Sequence, residues 1–539
     1  METKESHNTV EELGPIDPLA PPPNSHDDSA LRKIGKKPVL RRSFNLMTVL
    51  GFSCTVLITW EATLFVFVSG LQNGGPSGII YGYILVWLGQ LSLVATLAEM
   101  ASMAPTSGGQ YHWVCMLAPP KYQKSFGYIT GWLALIGWQA ALASAGLLAG
   151  TQIQSIVSLT HPEYRESATT WQSTLILWAV LALITIINVA FTTLFAKFES
   201  LSFILHILGF FGVIFPLAFL SEHANAKDVF DSFTNLGGWE TQGLSFCIGI
   251  MGNVFAFVGG DAAIHLSEEV HHASTVVPWS LVATILINGT LGFAMLIATL
   301  FCMGDVDAAF AEDPHYPYMP IFRNAINSTA GAVALSAVIV TMIFVATTGA
   351  LASTSRIYWA FARDRAIPGW RFLKKTSPRT GIPRNSVLTA AVIAAILALI
   401  NIGDATAFNG VISVSIAGLL GSYLMASSLL LYRRLSPGHI RLASQADAED
   451  GDRDVHNTIG KRLTWGPWRI PGALGVANNI LTCVYIVFVL FFSFWPTYRE
   501  VTPENMNWAV LVTVVVLLFS TLYYFIWARK SYKGPIIEI

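Results

Sequence analysis

Charged side chains are scarce in this chain, and their scarcity excludes most soluble protein classes. Asp, Glu, Lys and Arg make up 12% of the 539 residues, whereas 53% of the residues are hydrophobic. Soluble domains carry about 25% charged residues. The formal net charge of −1 comes without a basic stripe, so nucleic acid is not an expected partner. The composition therefore predicts a protein that lies in a membrane.

Cysteine and histidine patterns typical of metal or redox sites are also missing. The five cysteines lie in or beside apolar segments without CxxC spacing, and we interpret them as small buried hydrophobic residues. The cluster of His265 with His271 and His272 lacks the HExxH spacing of a zinc enzyme. The first 40 residues are polar and proline-rich, without the apolar core of a signal peptide. These absences predict a protein that is not an enzyme and carries no cofactor.

Apolar runs, by contrast, are abundant and long. A helix needs about 20 apolar residues to cross a bilayer, and twelve segments approach this length. We predict an all-α integral membrane protein with a disordered cytoplasmic tail at 1–43, a transmembrane domain at 44–528 and a cytoplasmic C-terminal tail at 529–539. The predicted spans are 44–70, 79–103, 126–150, 171–192, 200–220, 244–265, 279–303, 331–355, 385–402, 406–431, 473–495 and 507–528.

Basic residues in the loops predict the orientation of the chain. Lys and Arg favour the cytoplasmic side of a membrane. With the N-terminus inside, the basic residues left for the outer loops, out of 32 in the chain, are Arg165, Lys227, Arg323 and Arg499. Both termini are therefore predicted to be cytoplasmic. The sequon that begins at Asn327 then lies in an outer loop, where it is either glycosylated or unused.

The sixth predicted span is interrupted near its middle by Gly259, Gly260 and Asp261. Backbone polar groups need partners at that depth, and a carboxylate there is energetically expensive. Both are tolerated where a helix opens and its freed backbone lines a cavity for a polar solute. The alternative is that the glycines only allow close helix packing and that Asp261 is paired internally.

Other polar and aromatic residues at membrane depth belong to the predicted site. Glu61 in the first span is a proton carrier or an anchor for a cationic amine, unless it only bonds to a neighbouring helix. Trp60 beside it offers a ring face to an ammonium group, or it only packs. Gln139 in the third span binds solute or a broken helix. Phe257 closes over a bound solute or belongs to the core.

A basic segment that contains Arg356 and Arg363 follows the eighth span. The simplest interpretation is a solvated positive loop, and two functional interpretations remain beside it. The segment lies against anionic lipid head groups, or it pairs with Glu268 or Glu269, which the predicted topology places on the same side of the membrane, and acts as a gate. The interruptions of the first and sixth spans also suggest two five-helix units of opposite orientation, followed by two further helices.

Several stretches resemble the amino acid–polyamine–organocation superfamily, in particular its fungal permeases for GABA, amino acids and choline. The resemblance implies a LeuT-like five-plus-five inverted-repeat fold with discontinuous helices 1 and 6. It also implies a central site between spans one, three, six, eight and ten, alternating access and proton-coupled uptake. The matching stretches are NGGPSGIIYG (73–82), AEMASMAPTSGGQYHWV (98–114), GWLALIGWQ (131–139), GGDAAIHLSEEVHHASTVVP (259–278), SRIYWAFARDRAIP (355–368) and the span-ten stretch with Ser422 and Tyr423.

The first span departs from the family pattern. In the superfamily this helix usually breaks at a glycine-rich sequence that binds the carboxylate of the substrate. Here no glycine follows Gly51 until Gly70, and Glu61 lies near the expected break. An acid at this place competes with a substrate carboxylate for the positive end of the outer half-helix. This departure favours a solute that carries an amine over a simple α-amino acid.

Taken together, the residues and the resemblance predict a secondary active transporter, a permease, for a small amine-bearing solute such as an amino acid, GABA or choline. A transporter-like nutrient sensor that moves no solute is the alternative. We expect the solute and membrane lipids as partners, and the plasma membrane or, alternatively, the vacuolar membrane as the location; no oligomeric state follows from the residues. The predicted substrate-binding residues are Trp60, Glu61, Gln139, Phe257, Gly259, Gly260 and Asp261.

Overall fold

Membrane-length helices dominate the structure. The computed structural model describes residues 26–190, 192–313, 315–403, 405–436, 440–442, 455–503 and 505–538. Within these ranges, 11 helices are long and apolar enough to cross a membrane, and each overlaps one of the predicted spans. The predicted span without such a helix is the sixth, which consists of short helical pieces that include the apolar stretch Gln242–Phe255.

Helices make up nearly all of the regular secondary structure. The helices up to the sixth predicted span are α1 (His26–Lys33), α2 (Leu46–Leu57), α3 (Thr59–Gln72), α4 (Gly75–Met103), α5 (Gln110–Leu117), α6 (Gln123–Thr160), α7 (Pro162–Ser167), α8 (Thr170–Ala190), α9 (Thr192–Leu220), α10 (Ala226–Phe230), α11 (Gln242–Gly249), α12 (Met251–Phe255) and α13 (Ala262–His265). The later helices are α14 (Ala273–Cys302), α15 (Val306–Glu312), α16 (Tyr318–Ile326), α17 (Thr329–Arg363), α18 (Trp370–Leu373), α19 (Arg384–Leu397), α20 (Ile400–Gly403), α21 (Ala405–Leu435), α22 (Gly472–Ser493), α23 (Ala509–Tyr523) and α24 (Arg529–Ser531). Two short strands, β1 (Ile440–Arg441) and β2 (Leu463–Thr464), form a parallel pair.

The first span is broken into α2 and α3. Asn45 starts α2 with a capping box, in which its side chain accepts from the Thr48 N–H and the Thr48 hydroxyl accepts from the Asn45 N–H. The break is at Ile58, which has φ 39° and ψ 46°. A β-branched residue in this left-handed region is strained. The break therefore forms without the glycine that usually relieves such a conformation, three residues before Glu61.

The sixth span is broken next to its glycine pair. Helix α12 ends at Phe255, and the next helix, α13, begins at Ala262. Gly259, within the gap, has φ 98°, a conformation that side-chain-bearing residues rarely adopt. The predicted interruption of this span is thus confirmed.

The two breaks lie side by side in the middle of the bundle. A Cβ atom placed on Gly259 would lie 3.7 Å from Val56 Cγ1 at the end of α2 and 3.7 Å from Trp138 Cη2 on α6. Helix α6 packs along α17 and α21, while α14 packs along α2, α3 and α4. Intact helices thus surround the broken pair on several sides. The inverted relation between the two five-helix units stays a prediction.

Residues 26–43 differ from the disordered tail that the sequence predicts, while residues 1–25 lie outside the described part. Helix α1 forms here, and the Lys36 ammonium, which is 1% exposed, pairs with Asp364 Oδ1 at 2.8 Å. The backbone N–H of Ile536 donates to the same oxygen at 2.9 Å. Polar composition suggested disorder, but the paired Asp364 gives the segment a tertiary partner. The segments that contain Lys36 and Ile536 therefore meet at the end of the bundle that contains Asp364, called here the termini side.

Asn327 lies at the opposite end of the bundle from the termini side. It follows α16 with φ 50°, and Ser328 caps the start of α17. Because α17 has 35 residues and a helix rises about 1.5 Å per residue, its two ends are about 50 Å apart. Asn327 is exposed. Its glycosylation stays a prediction.

Candidate functional site

A small closed cavity lies against the break in the sixth span. Its volume is about 20 Å³, room for one or two water molecules. Phe257, Gly259, Gly260 and Asp261 line it from the break, and Tyr423 lines it from α21. A carboxylate, two aromatic rings and unwound backbone thus face one space between membrane helices.

A second cavity of about 70 Å³ lies on the other side of the same break. Ile58 and Phe65 of the broken first span line it, together with Trp138 of α6. Val258 and Gly259 line both cavities. The second cavity is apolar apart from its backbone and the Trp138 ring. The two cavities therefore flank the point at which both broken spans approach each other.

Asp261 is held in place by side chains from four helices. Gln110 Nε2 of α5 donates to Asp261 Oδ2 at 2.7 Å, and Trp138 Nε1 of α6 donates to the same oxygen at 3.3 Å. His265 Nε2 lies 3.2 Å from it, one helical turn further along the chain. The Tyr423 hydroxyl also interacts with this carboxyl group. The carboxyl group is therefore oriented before any solute arrives.

Three of the predicted site residues face away from both cavities in this structure. Glu61 Oε1 lies 2.8 Å from His206 Nδ1 of α9, and Trp60 Nε1 lies 3.1 Å from the same nitrogen. Gln139 Nε2 donates to the Ala390 carbonyl of α19 at 3.1 Å. Phe257, Gly259, Gly260 and Asp261 line the first cavity together. Substrate contact by Trp60, Glu61 and Gln139 stays a prediction.

Several residues near these groups were not among the predicted site residues. Gln110 and His265 hold Asp261, and Tyr423 completes the first cavity. His206 pairs with Glu61. An ionisable residue within a membrane span is a functional signal by itself, and this rule applied to the stretch FILHILGF (203–210) would have selected His206. The same rule applies to His265, the last residue of the predicted sixth span, whereas Gln110 and Tyr423 come to the site only through the fold.

Two ion pairs close the bundle on the termini side of the break. Arg363 donates to both oxygens of Glu268, at 2.7 and 2.9 Å, and Arg356 donates to both oxygens of Glu269, at 2.8 and 3.3 Å. All four residues are buried. Of the interpretations of the basic segment, pairing with Glu268 and Glu269 is confirmed.

The Glu268 pair is charged over the whole neutral range. Burial raises the pKa of the Glu268 carboxyl group, but the facing Arg363 guanidinium, together with Lys36 and the Ser107 N–H, outweighs burial and holds the pKa below its ordinary value. A carboxyl group with a lowered pKa in the folded state stabilises that state at higher pH, and the contribution is lost only as the pH falls through the lowered value. The contact therefore persists between mildly acidic and neutral pH.

The chain belongs to the amino acid permease family. The family profile matches residues 44–517, which contain both broken spans, both cavities and the two ion pairs. With 11 membrane-length helices among the described residues, the protein is a multi-pass integral membrane protein and a transporter for small solutes. The superfamily resemblance predicted from the sequence is confirmed.

Similar proteins are fungal transporters with different named solutes. The chain is 30% identical over 461 residues to a candidate amino acid/polyamine transporter of Macrophomina phaseolina, covering 85% of this chain and 96% of that protein. It is 29% identical over 504 residues to the choline transporter of Saccharomyces cerevisiae, covering 92% and 82%. It is 26% identical over 521 residues to a swainsonine transporter of Arthroderma benhamiae, covering 95% and 96%.

Proposed function

We propose that the protein is a secondary active transporter that moves a small cationic amine across the plasma membrane by alternating access. The observation that carries this proposal is the position of Asp261, a buried carboxyl group beside two aromatic rings at the break of a membrane helix. Broken helices at membrane depth are how transporters expose backbone to a solute. The broken first span and the broken sixth span both line the second cavity.

The proposal includes the topology that the sequence predicts. The pieces from α11 to α13 then form the sixth of twelve crossings, and the two breaks occupy matching places in a LeuT-like five-plus-five inverted repeat. The termini side is proposed to be cytoplasmic, because most Lys and Arg outside the spans belong to segments at that end. Asn327 then faces the exterior, where a glycan can be attached.

The charge of the cavity lining favours a cation as the solute. Among the described residues that line the two cavities, Asp261 has the single carboxyl group, and no Lys or Arg is present. Phe257 and Tyr423 lie beside it, and aromatic rings attract ammonium groups through their faces. The site therefore offers a negative pole and aromatic surface to a bound molecule.

The cavities offer little positive charge to the carboxylate of a substrate. The N-terminus of α3 next to the second cavity is the natural place for one, since a helix N-terminus attracts anions. Glu61 lies in the first turn of α3, so its carboxyl group opposes a substrate carboxylate there whenever it is ionised. We therefore propose a cation without a carboxylate, for which choline is the first compound to test. The named choline and amino acid/polyamine relatives support an amine as the solute.

Solute competition in proteoliposomes tests this function. Uptake of radiolabelled choline is measured with purified protein at an acidic and a neutral pH, against choline, betaine, putrescine, GABA and α-amino acids. Choline and betaine both carry a trimethylammonium group, but betaine has a carboxylate where choline has a hydroxymethyl group. We expect betaine to compete at least about tenfold more weakly, which corresponds to a difference of about 1.4 kcal/mol in binding free energy. If α-amino acids compete more strongly than unlabelled choline, the assignment of the solute is contradicted. Solute binding without any flux would support the sensor alternative.

Gly259→Ala tests the need for a left-handed backbone at the break. An added methyl group meets only ordinary contacts at 3.7 Å, so the expected effect comes from the backbone angle φ of 98°. Alanine in such a conformation costs about 1–2 kcal/mol. We expect the initial rate of choline uptake to fall about tenfold, since 1.4 kcal/mol corresponds to that factor.

Gly260→Ala is the matched comparison for this variant. Gly260 has no positive φ, and its added Cβ would meet Ile285 Cδ1 at 3.4 Å, within ordinary contact. We expect the Gly260 variant to keep clearly more uptake than the Gly259 variant. If the Gly259 and Gly260 variants lose equal fractions of uptake, the space around the added methyl group, and not the backbone conformation, limits both positions.

We also propose that a proton is the coupling ion. Buried ionisable groups at membrane depth mark proton or ion pathways in transporters. Glu61 on α3 and His206 on α9 are fully buried groups of this kind.

A further inference from the structure

We propose that Glu61 and His206 together form the proton-binding site of the transporter, in the contact between α3 and α9 and separate from the solute cavities. This inference rests on the proposed transport function. Glu61 Oε1 lies 2.8 Å from His206 Nδ1, and both side chains are fully buried, at 0% exposure. Neither residue lines either of the two cavities at the break. Glu61 Oε2 and His206 Nε2, the outer atoms of the pair, have no hydrogen-bond partner among the described residues.

The hydrogen bonds around His206 Nδ1 depend on where a proton is. Trp60 Nε1 lies 3.1 Å from this nitrogen, and an indole N–H only donates, so this contact needs an unprotonated Nδ1. An ionised Glu61 only accepts, so its contact needs a protonated Nδ1. One nitrogen cannot satisfy both at once. Binding or release of a proton therefore changes whether His206 of α9 is hydrogen-bonded to Trp60 or to Glu61 of α3.

The surroundings of the pair contain little other charge. The nearest further titratable group on α2 is the Cys54 thiol, which bonds to Thr284. The helices α11, α12 and α14, which pack on α3, contain no charged residue, and neither does α8, which packs on α9. On α4 the buried Tyr83 hydroxyl donates to the Gly289 carbonyl. On α9 itself, Glu199 is buried and Lys197 is exposed.

The remaining charged residues of the neighbouring helices lie at helix ends, away from the pair. Glu99 of α4 pairs with Arg434. Arg356 and Arg363 of α17 pair with Glu269 and Glu268 on the termini side, and Arg323 of α16 pairs with Glu312 on the opposite side. Within the described part of the chain, Glu61 and His206 therefore have only each other as charged partners.

An isolated pair of this kind binds one proton when it is buried. Free Glu and His have pKa values of about 4.3 and about 6.5, so at neutral pH in water the two together carry one negative charge. Burying that charge without a partner is costly. With one added proton the pair is neutral overall, whether the proton lies on the carboxyl group or on the imidazole. When α3 packs against α9 and water is excluded, the Glu61–His206 pair therefore binds one proton from water. When water enters the contact, the pair releases that proton.

The pair is connected to the solute site through the start of α3. Ile58, the residue at the break, lines the second cavity, and Trp60 and Glu61 follow it in the first turn of α3. A movement of α3 that opens the cavity also changes the contact with α9. Solute access and proton exchange are therefore coupled by one half-helix.

Glu199 provides a matched control on the same helix. It is fully buried like His206 and lies seven residues before it, about two helical turns. Its Oε2 accepts from the Thr55 hydroxyl at 2.8 Å, and no histidine or other cation pairs with it among the described residues. Glu199→Gln removes a buried carboxyl group from α9 but leaves the Glu61–His206 pair intact.

The test separates exchange from proton-driven accumulation. Full-length wild type, His206→Gln and Glu199→Gln are reconstituted, and two quantities are measured with radiolabelled choline: exchange at equal pH on both sides, and accumulation driven by an acidic exterior. We expect His206→Gln to keep exchange within about threefold and to lose the accumulation caused by the pH gradient. We expect Glu199→Gln to behave like wild type in both assays. A proton-sensitive dye inside the vesicles should report choline-dependent proton entry for wild type and Glu199→Gln only.

The outcomes distinguish this inference from the proposed function. If wild type shows no choline exchange, the transport of this solute is contradicted. If exchange is present but His206→Gln still accumulates choline with the gradient, or Glu199→Gln loses accumulation instead, the pair is not the proton site.

Trp60→Phe keeps the test informative if His206→Gln does not fold. This variant removes the Trp60 N–H, which competes for His206 Nδ1, and keeps the Glu61–His206 pair. We therefore expect the pair to bind its proton more tightly. The pH of half-maximal gradient-driven uptake should move upward. An unchanged pH dependence would overturn the role of His206 Nδ1.

Discussion

Asp261→Asn is expected to reduce the initial rate of choline uptake about 100-fold. Asparagine keeps the size of the side chain, and its carbonyl oxygen still accepts from Gln110 and Trp138, which now donate to Asp261 Oδ2. What is lost is the negative charge. Hydrogen bonds to charged groups contribute about 1.5–3 kcal/mol, and 2.8 kcal/mol corresponds to a factor of about 100. The measurement is radiolabelled choline uptake, normalised to protein in the membrane.

Glu199→Gln is the control for the loss of a buried carboxyl group. It changes the same functional group in a fully buried position, but Glu199 lines neither cavity. We expect this variant to take up choline at close to the wild-type rate. Wild-type uptake by Asp261→Asn, with the protein present in the membrane, would remove the carboxylate from solute binding.

Glu268→Gln is expected to open the termini side of the bundle. The substitution removes the carboxylate that the buried Arg363 guanidinium contacts through two hydrogen bonds, and leaves it Glu538 as a more distant partner at 3.7 Å. Removing one partner of a buried pair costs about 3–5 kcal/mol, so we expect local opening to increase at least about 100-fold. Hydrogen–deuterium exchange of residues 262–270 measures this directly. The increase should be equal at mildly acidic and neutral pH, because the lowered pKa of Glu268 keeps the wild-type pair ionised at both.

Two variants make the gate prediction specific. Glu240→Gln removes the carboxylate of an exposed pair, in which Arg499 lies 3.2 Å from Glu240, and exposed pairs contribute little. No change in exchange is expected there. Reversing the charges, with Glu268→Arg and Arg363→Glu together, should restore protection of 262–270. Unchanged exchange in Glu268→Gln would show that this ion pair does not hold the termini side closed.

The membrane spans and the broken sixth helix were predictable from the residues alone. Length and hydropathy decide whether a segment can cross a bilayer, and both are local properties of the chain. The interruption at Gly259 was predictable for a related reason, since two glycines and a carboxylate at membrane depth are costly in a continuous helix and favourable where the helix opens. The pairing of the basic segment with Glu268 and Glu269 was one of the interpretations that the predicted topology left open, and only the structure decided between them.

An interruption of the first span was predicted, but no local signal marked the residue at which it occurs. No glycine lies there, and the structure places the break at Ile58, a residue whose side chain disfavours φ 39°. A strained conformation of this kind persists only when surrounding contacts impose it. Its neighbour Thr59 makes such a contact, because the Asn288 side chain accepts from the Thr59 N–H at 3.4 Å. That contact joins residues far apart in the chain.

The sequence by itself determined the membrane class, the family, the positions of the spans and the residues that are exceptional at membrane depth, because these depend on which side chains occur and in what spacing. Only the tertiary structure decided which of those residues share a space. Asp261 faces the cavity, whereas Glu61 faces His206. The direction of a side chain depends on how each helix is rotated against its neighbours, and that rotation is set by packing between segments distant in the chain.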